Sequence, residues 1–373
     1  MKKLLYILGT RPEAIKLAPL IIASQNVSDF NIEICVTGQH KDMFDQMFNF
    51  FGIKPHYNLK VMSPDQGLSL VTSKILTALD AVLEKVKPDL VVVQGDTTSA
   101  FAGSLAAYHR RVPIVHIEAG LRSGNRYSPF PEEGYRTMVS RLAAYHFAPT
   151  RTALQNLEKE GIVDNVWVVG NTVIDALLLT RKKIYDTKKH IHYEKKYKFL
   201  KTGNKIILVT GHRRESFGKP LKEVCEALVD ISNKNKDTDI VYPVHPNPNV
   251  TSVVRKILGG KKRIHLVKPV EYPEFVWFMD RCHFIITDSG GVQEEASRLG
   301  KPVLVTRKVT ERTESVQAGG SVVVGTDRKK INELSNKLLH NFTYYKKMAR
   351  VRNLYGDGSA SQKIVRIIKR PIQ

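Results

Sequence analysis

Apolar residues in this chain come in short unbroken runs, each followed by a polar turn and then by a stretch with apolar positions at helical spacing. In the first half the runs fall at residues 4–8, 32–37, 90–94, 114–118 and 166–169, with helical stretches such as 15–24 and 68–86 between them. The second half restarts the pattern at 206–210, 240–243, 264–267, 284–287 and 303–306. Strands that are apolar throughout and separated by helices are covered on both faces, the signature of parallel sheets in α/β proteins. The pattern predicts two Rossmann-like domains with a cleft between them, residues 1–172 and 173–355, and then a tail, 356–373, with a helix over 360–369.

One strand–turn–helix junction stands out. Thr287-Asp288-Ser289-Gly290-Gly291-Val292-Gln293-Glu294-Glu295 follows an apolar run and opens a helix that Gly300-Lys301-Pro302 stops. Asp288 or Ser289 can cap that helix. Gly290 and Gly291 let an anion approach N–H groups at the positive end of the helix dipole, so a phosphate fits there. Glu294 and Glu295, on the first turns, can accept hydrogen bonds from a ribose diol. The same turn would also serve as a plain strand–helix connection.

Ligands of open α/β sheets bind past the carboxyl ends of the strands. In the first domain that rule selects Arg11 and Lys16, Asp96, Glu118 with Arg122, and Glu132 or Glu133. In the second it selects the turns holding His212 and His245. Plainer roles exist for each: Asp96 as a cap for the helix starting at Thr97, Glu118 as the ion-pair partner of Arg122, His212 as a turn histidine. Together, Arg11, Lys16, Asp96, Glu118, Glu132 and His212 would give the cleft cations suited to phosphate and carboxylates suited to proton transfer.

Composition narrows the classes. No apolar stretch approaches the ~20 residues of a membrane span, and the run at 4–8 ends too soon, at Gly9-Thr10-Arg11-Pro12-Glu13, to read as a signal peptide. Cys35, Cys225 and Cys282 lack metal-ligand spacing, which points to a reduced cytoplasmic protein without a zinc site. The net charge of +22 raises nucleic-acid or anionic-membrane binding. Its basic stretches at 181–205 and 256–268 read better as a solvated connector and surface, with attraction of small anions second.

Seven spaced blocks carry a resemblance. Gly9-Thr10-Arg11-Pro12-Glu13-Ala14-Ile15-Lys16, Gly95-Asp96-Thr97-Thr98, His116-Ile117-Glu118-Ala119-Gly120-Leu121-Arg122, Ser128-Pro129-Phe130-Pro131-Glu132-Glu133, Gly170-Asn171-Thr172-Val173-Ile174-Asp175, Gly211-His212-Arg213-Arg214-Glu215 and the 288–295 block closely resemble the bacterial non-hydrolysing UDP-N-acetylglucosamine 2-epimerases. The resemblance implies a GT-B-like pair of Rossmann domains and a homodimer, with the C-terminal helix packed back on the first domain. It also implies reversible conversion of UDP-N-acetylglucosamine to UDP-N-acetylmannosamine for a cell-surface polysaccharide, without metal or nicotinamide cofactor. The implied route is anti elimination of UDP to 2-acetamidoglucal and re-addition on the other face.

By the same resemblance Asp96, Glu118 and Glu132 are the catalytic carboxylates. Arg11, His212, Ser289, Gly290 and Gly291 form the diphosphate site, and Lys16 lines the same cleft. Glu295 binds ribose and Phe275 lies near uracil. Gln39, Gln66, Glu132 and His245 match a second UDP-N-acetylglucosamine site found in regulated relatives, although Asp42 and Asp65 stand where those relatives carry Gln and Arg. Gln94 replaces a histidine, and Ser297 and Thr313 replace prolines. The competing readings are a GT-B glycosyltransferase and a hydrolysing epimerase.

Overall fold

The computed structural model of the chain describes residues 1–38, 41–63, 66–200, 203–211, 213 and 217–370, with backbone alone for 41–45. It divides into two compact units, Met1–Ala176 with Tyr355–Gln373, and Leu177–Leu354.

The first unit is a parallel sheet of seven strands: β1 Lys2–Leu8, β2 Phe30–Val36, β3 Tyr57–Asn58, β4 Leu90–Gln94, β5 Ile114–Ile117, β6 Tyr145–Ala148 and β7 Val166–Val168. Their order is β3-β2-β1-β4-β5-β6-β7. Leu5, Ile7, Val91 and Val93 are wholly buried against Ile75, Leu79 and Ala107 of the flanking helices, as the apolar runs require. Because β1 is flanked by β2 on one side and β4 on the other, the helices after β1 and β4 leave toward opposite faces. That opens a crevice at the strand ends.

The tail belongs to this unit. Gly170 and Gly356 meet so closely that a Cβ on Gly170 would lie 3.0 Å from the Gly356 Cα, and both have positive φ, +95° and +114°. Only glycine meets both conditions. The amide of Asn171 then donates to Tyr355 O at 2.7 Å. Asp175 caps the helix Ala360–Ile368, accepting from the amides of Ser361 at 2.7 Å and Ala360 at 3.3 Å.

The second unit repeats the scheme with β8 Lys205–Thr210, β9 Thr238–Pro243, β10 Ile264–Val267, β11 Phe284–Thr287, β12 Val303–Val305 and β13 Ser321–Val323, in the order β10-β9-β8-β11-β12-β13, all parallel. Its crevice lies between β8 and β11. The basic stretch read as a solvated connector is largely helical, Thr172–Asp186 and Lys189–Lys196, and most of its side chains from Arg181 on are exposed. Tyr197 fixes it: the ring is buried against Phe278, centroids 4.7 Å apart, and Trp277. The positive charge is concentrated in this unit. Residues 177–354 carry 36 of the 58 Lys and Arg but 18 of the 36 acids, hence 18 of the 22 net positive charges.

Candidate active site

Glu118 is the best-held side chain at the strand ends of the first unit. It stands just past β5 in left-handed backbone, φ +64°, unusual for a residue with a Cβ. Its carboxylate receives Lys16 Nζ on both oxygens, at 2.7 and 2.6 Å, and Asn171 Nδ2 on Oε1 at 2.8 Å. Gln94 Nε2 completes the set on Oε2. Lys16 comes from the helix Arg11–Gln25 and Gln94 from the end of β4; Asn171 follows β7, so three separate elements converge. The plainer pairing of Glu118 with Arg122 does not occur. Arg122 is taken by Glu160, Nε to Oε1 at 2.6 Å and Nη2 to Oε2 at 2.8 Å. Gly120 permits this turn, since a Cβ there would lie 2.1 Å from Ala153 O.

Asp96 does not cap the helix after β4 either. Thr97 does, accepting from the amide of Ala100 at 3.0 Å, which leaves Asp96 to pair with Arg136 Nη2. Arg136 is aimed by Glu133, Oε2 to Nη1 at 3.1 Å, and the other oxygen of Glu133 accepts the amides of Ser123 and Gly124 at 2.9 and 3.2 Å. Glu133 is thus the brace of the loop. Its neighbour Glu132, first residue of the helix Glu132–Leu142, has a buried Oε2 without a hydrogen-bond partner among the described residues. A buried carboxylate oxygen left uncommitted is costly for structure alone and useful for proton transfer.

Sequence reasoning passed over Glu13. Its carboxylate accepts from the amides of Gly9 (3.0 Å) and Thr10 (2.6 Å) and from the hydroxyls of Thr10 (2.7 Å) and Thr97 (2.8 Å). Burial pushes its pKa up to about 7 against those hydrogen bonds. Arg11 opens the same helix and is half-buried. On β5 and β6, His116 and His146 sit side by side and buried, and burial lowers their pKa to about 3 and about 4, so both are neutral.

In the second unit the helix Gly290–Leu299 begins at Ser289, whose side chain makes no capping hydrogen bond, contrary to the capping expected from the sequence. Asp288 turns instead to Arg213, Oδ2 accepting its amide at 2.9 Å across the β8–β11 crevice. The first turn of the helix therefore keeps its N-terminal dipole clear of a side-chain anion. A cation the sequence did not single out stands there. Arg312 donates from Nε to the buried Glu294 at 2.6 Å, and its guanidinium lies 3.4 Å from where a Gly290 Cβ would be. Glu295 is buried and accepts the Tyr272 hydroxyl at 2.6 Å. Phe275 lies half-buried on the helix Tyr272–Arg281.

His212 and Gln39 lie outside the described residues. Gln66 Oε1 accepts the amide of Ser63 at 2.7 Å in the first unit, and His245, exposed in the second, accepts the amide of Asn247 on Nδ1 at 3.2 Å. Asn171, Gln94 and Arg312 all follow or end strands, so the strand-end rule could have found them; amides and a distant arginine carried no chemical signal of their own.

Two parallel α/β units, one with carboxylates and a lysine at its strand ends and the other with an uncapped glycine helix start flanked by arginine, define a GT-B-like nucleotide-sugar enzyme. Residues 23–369 match the model of the family described as UDP-N-acetylglucosamine 2-epimerase, and the chain belongs to that family of isomerases. It is 49% identical over 369 residues, 98% of both chains, to the UDP-N-acetylglucosamine 2-epimerase of Escherichia coli K12. The Neisseria meningitidis UDP-GlcNAc 2-epimerase, solved bound to UDP-GlcNAc, superposes with a TM-score of 0.94 at 44% identity, covering 99% of this chain and all of that one. The Methanocaldococcus jannaschii enzyme, solved with UDP-GlcNAc and UDP, gives 0.85 at 34% identity, covering 98% and 99%.

Proposed function

We propose that the chain interconverts UDP-N-acetylglucosamine and UDP-N-acetylmannosamine by eliminating UDP and adding it back. A base takes the carbon 2 proton, the C–H electrons form a carbon 1–carbon 2 double bond, and the bond from carbon 1 to the diphosphate oxygen breaks with its electrons leaving on UDP. Re-addition of UDP to carbon 1, with a proton delivered to the other face of carbon 2, gives the epimer. The first unit supplies the acid–base groups Glu118, Asp96 and Glu132, with Lys16 and Arg11 as cations. The second supplies the nucleotide handle: Ser289, Gly290, Gly291 and Arg312 for diphosphate, Glu295 for ribose and Phe275 for uracil, and the resemblance adds His212 to the diphosphate set.

The observation that carries this reading is the clasp on Glu118. A carboxylate held by a lysine and two amides at a strand end is a positioned proton-transfer group rather than a surface ion pair. The charge distribution supports it as well, since the unit with the phosphate handle carries most of the positive charge and so attracts an anionic sugar nucleotide. A homodimer belongs to the same reading. Exposed Leu68, Leu70, Tyr108 and Met138, on three helices of the first unit, are apolar surface of the kind a second copy covers.

Proton NMR with UDP-N-acetylglucosamine in deuterated water tests the reaction. Appearance of UDP-N-acetylmannosamine, with deuterium entering carbon 2 of both sugars, is the expected result. Free UDP with free N-acetylmannosamine would mean a hydrolysing epimerase, and an unchanged spectrum with UDP bound would favour a glycosyltransferase.

A further inference from the structure

Besides Glu118, which joins Lys16 to Gln94, a second carboxylate crosses the crevice at the strand ends of the first unit. Helices after β1 and β4 diverge to opposite faces of the sheet, so beyond the pairing of the two strands, which runs to Tyr6 and Val92, side chains are what tie their starts together. Glu13 does so from the third position of its helix. Oε2 takes the amides of Gly9 and Thr10 and the Thr10 hydroxyl; Oε1 takes the hydroxyl of Thr97 from the other side. Thr97 is itself fixed as the cap of its helix by the amide of Ala100. The residues flanking this bridge are Arg11, two positions before Glu13, and Asp96, one before Thr97.

The bridge also separates the roles of the two units. Helix-start amides that could otherwise meet a phosphate are occupied here by an internal carboxylate, whereas the helix at Gly290 has no side-chain cap. The turn after β1 is therefore built to hold its own geometry, and Arg11 is what it presents to an anion.

We propose that Glu13 is a positioning residue of the epimerase reaction: it ties the Arg11 turn to the Asp96 turn across the β1–β4 crevice and thereby sets the distance between the cation and the carboxylate. This rests on the proposed function. A 1 Å misplacement of such groups costs about 100-fold in rate. Binding of UDP is assigned chiefly to the second unit, so displacing Arg11 weakens it far less than it slows the reaction.

The test uses the full chain with UDP-N-acetylglucosamine, after the wild-type protein has been shown to epimerise it; failure of that first assay would remove the proposed function and not the bridge. Glu13→Ala is expected to lower kcat by about 100-fold, while UDP affinity by calorimetry falls by no more than about tenfold through the displaced Arg11. Glu13→Gln, whose amide oxygen still accepts the Gly9 and Thr10 donors, should recover most of the rate. Unchanged kcat in Glu13→Ala, or a loss of kcat matched by an equal loss of UDP-binding protein, would overturn the proposal. Should Glu13→Ala fail to fold, a double-mutant cycle of Glu13→Met, which fills the space without accepting hydrogen bonds, with Thr97→Val decides. Losses in kcat that fall short of multiplying support the bridge, and losses that multiply fully reject it.

Discussion

Lys16 Nζ lies within 2.7 Å of both carboxylate oxygens of Glu118, a residue 102 positions away, and the two side chains are only 13% and 5% exposed. Breaking such a pair from one side leaves a buried charge without its partner, which costs about 3–5 kcal/mol. Lys16→Met should therefore destabilise the first unit by about 3 kcal/mol, and adding Glu118→Gln should restore more than half of that. Urea denaturation of the two single variants and the double variant measures it. A double variant no more stable than Lys16→Met would show that the pair is not what the first unit depends on. All three variants are expected to lose epimerisation.

Glu132 and Glu133 are neighbours with opposite expectations. Glu133 spends both oxygens on Ser123, Gly124 and Arg136, so Glu133→Ala leaves two loop amides and a guanidinium unsatisfied, a loss of roughly 2–3 kcal/mol. Its melting temperature should fall. Glu132→Gln removes no hydrogen bond from its uncommitted Oε2 and should melt as the wild type does, while kcat drops about 100- to 10,000-fold, the range for a lost general acid or base. Calorimetric melting beside initial rates separates the two, and a Glu132→Gln enzyme with near-normal kcat would remove Glu132 from the chemistry.

The contrast between these two residues also marks how far sequence reaches. Strands buried on both faces announce themselves through unbroken apolar runs, and ten of the strands lie where such runs do. β3, β6 and β13 are the exceptions. All are two to four residues long; β3 and β6, the latter carrying Tyr145 and His146, offer no run to read, whereas β13 lies on the short run Val322-Val323-Val324 that the sequence reading passed over, and each takes its backbone partners from a neighbouring strand. Candidate chemistry was legible where a charged residue follows a strand, as with Lys16, Asp96 and Glu118. It was not legible where meaning comes from a distant partner: Asn171 reaches Glu118 across 53 residues and Arg312 reaches Glu294 across 18. No local pattern distinguishes Glu132 from Glu133, because only the folded loop decides which carboxylate meets the amides of Ser123 and Gly124.

Acid should weaken the first unit between pH 6.5 and 4. His116 and His146 have folded pKa values of about 3 and about 4 because burial disfavours the charged ring. The unfolded chain takes up protons near pH 6.5 and the folded one does not, so the stability these groups give is full above pH 6.5 and lost as pH falls toward the folded values. Glu13 acts in the opposite sense. Its folded pKa of about 7 exceeds the unfolded value of about 4.5, so its contribution is full below pH 4.5 and lost as pH rises through 7. Over pH 7 to 5 each histidine costs about 2 kcal/mol and Glu13 returns a similar amount, leaving a net loss of about 2 kcal/mol. Denaturant titrations at both pH values check the sign: the midpoint should drop at pH 5, and Glu13→Gln should make the drop larger by removing the opposing group. A rise in stability on acidification would mean that the two histidines are not buried neutral.

Arg312 links the proposed nucleotide handle to the interior of the second unit. Its Nε neutralises Glu294, which is 1% exposed, while the guanidinium lies against Gly290 at the helix start where a diphosphate would rest. Substitution therefore has two effects that must be told apart. Arg312→Ala removes a cation from the proposed phosphate site and also takes from the buried Glu294 the guanidinium paired with it, so both UDP affinity and melting temperature should fall. Adding Glu294→Gln removes the charge of that carboxylate, so stability should recover while UDP affinity stays low by about 10- to 100-fold, one to three kcal/mol of charge-assisted hydrogen bonding. Calorimetric titration with UDP at two salt concentrations, set beside the melting curves, reads both. Affinity restored in the double variant would mean that Arg312 serves only to neutralise Glu294, and the diphosphate would then rest on the helix start and the turn after β8.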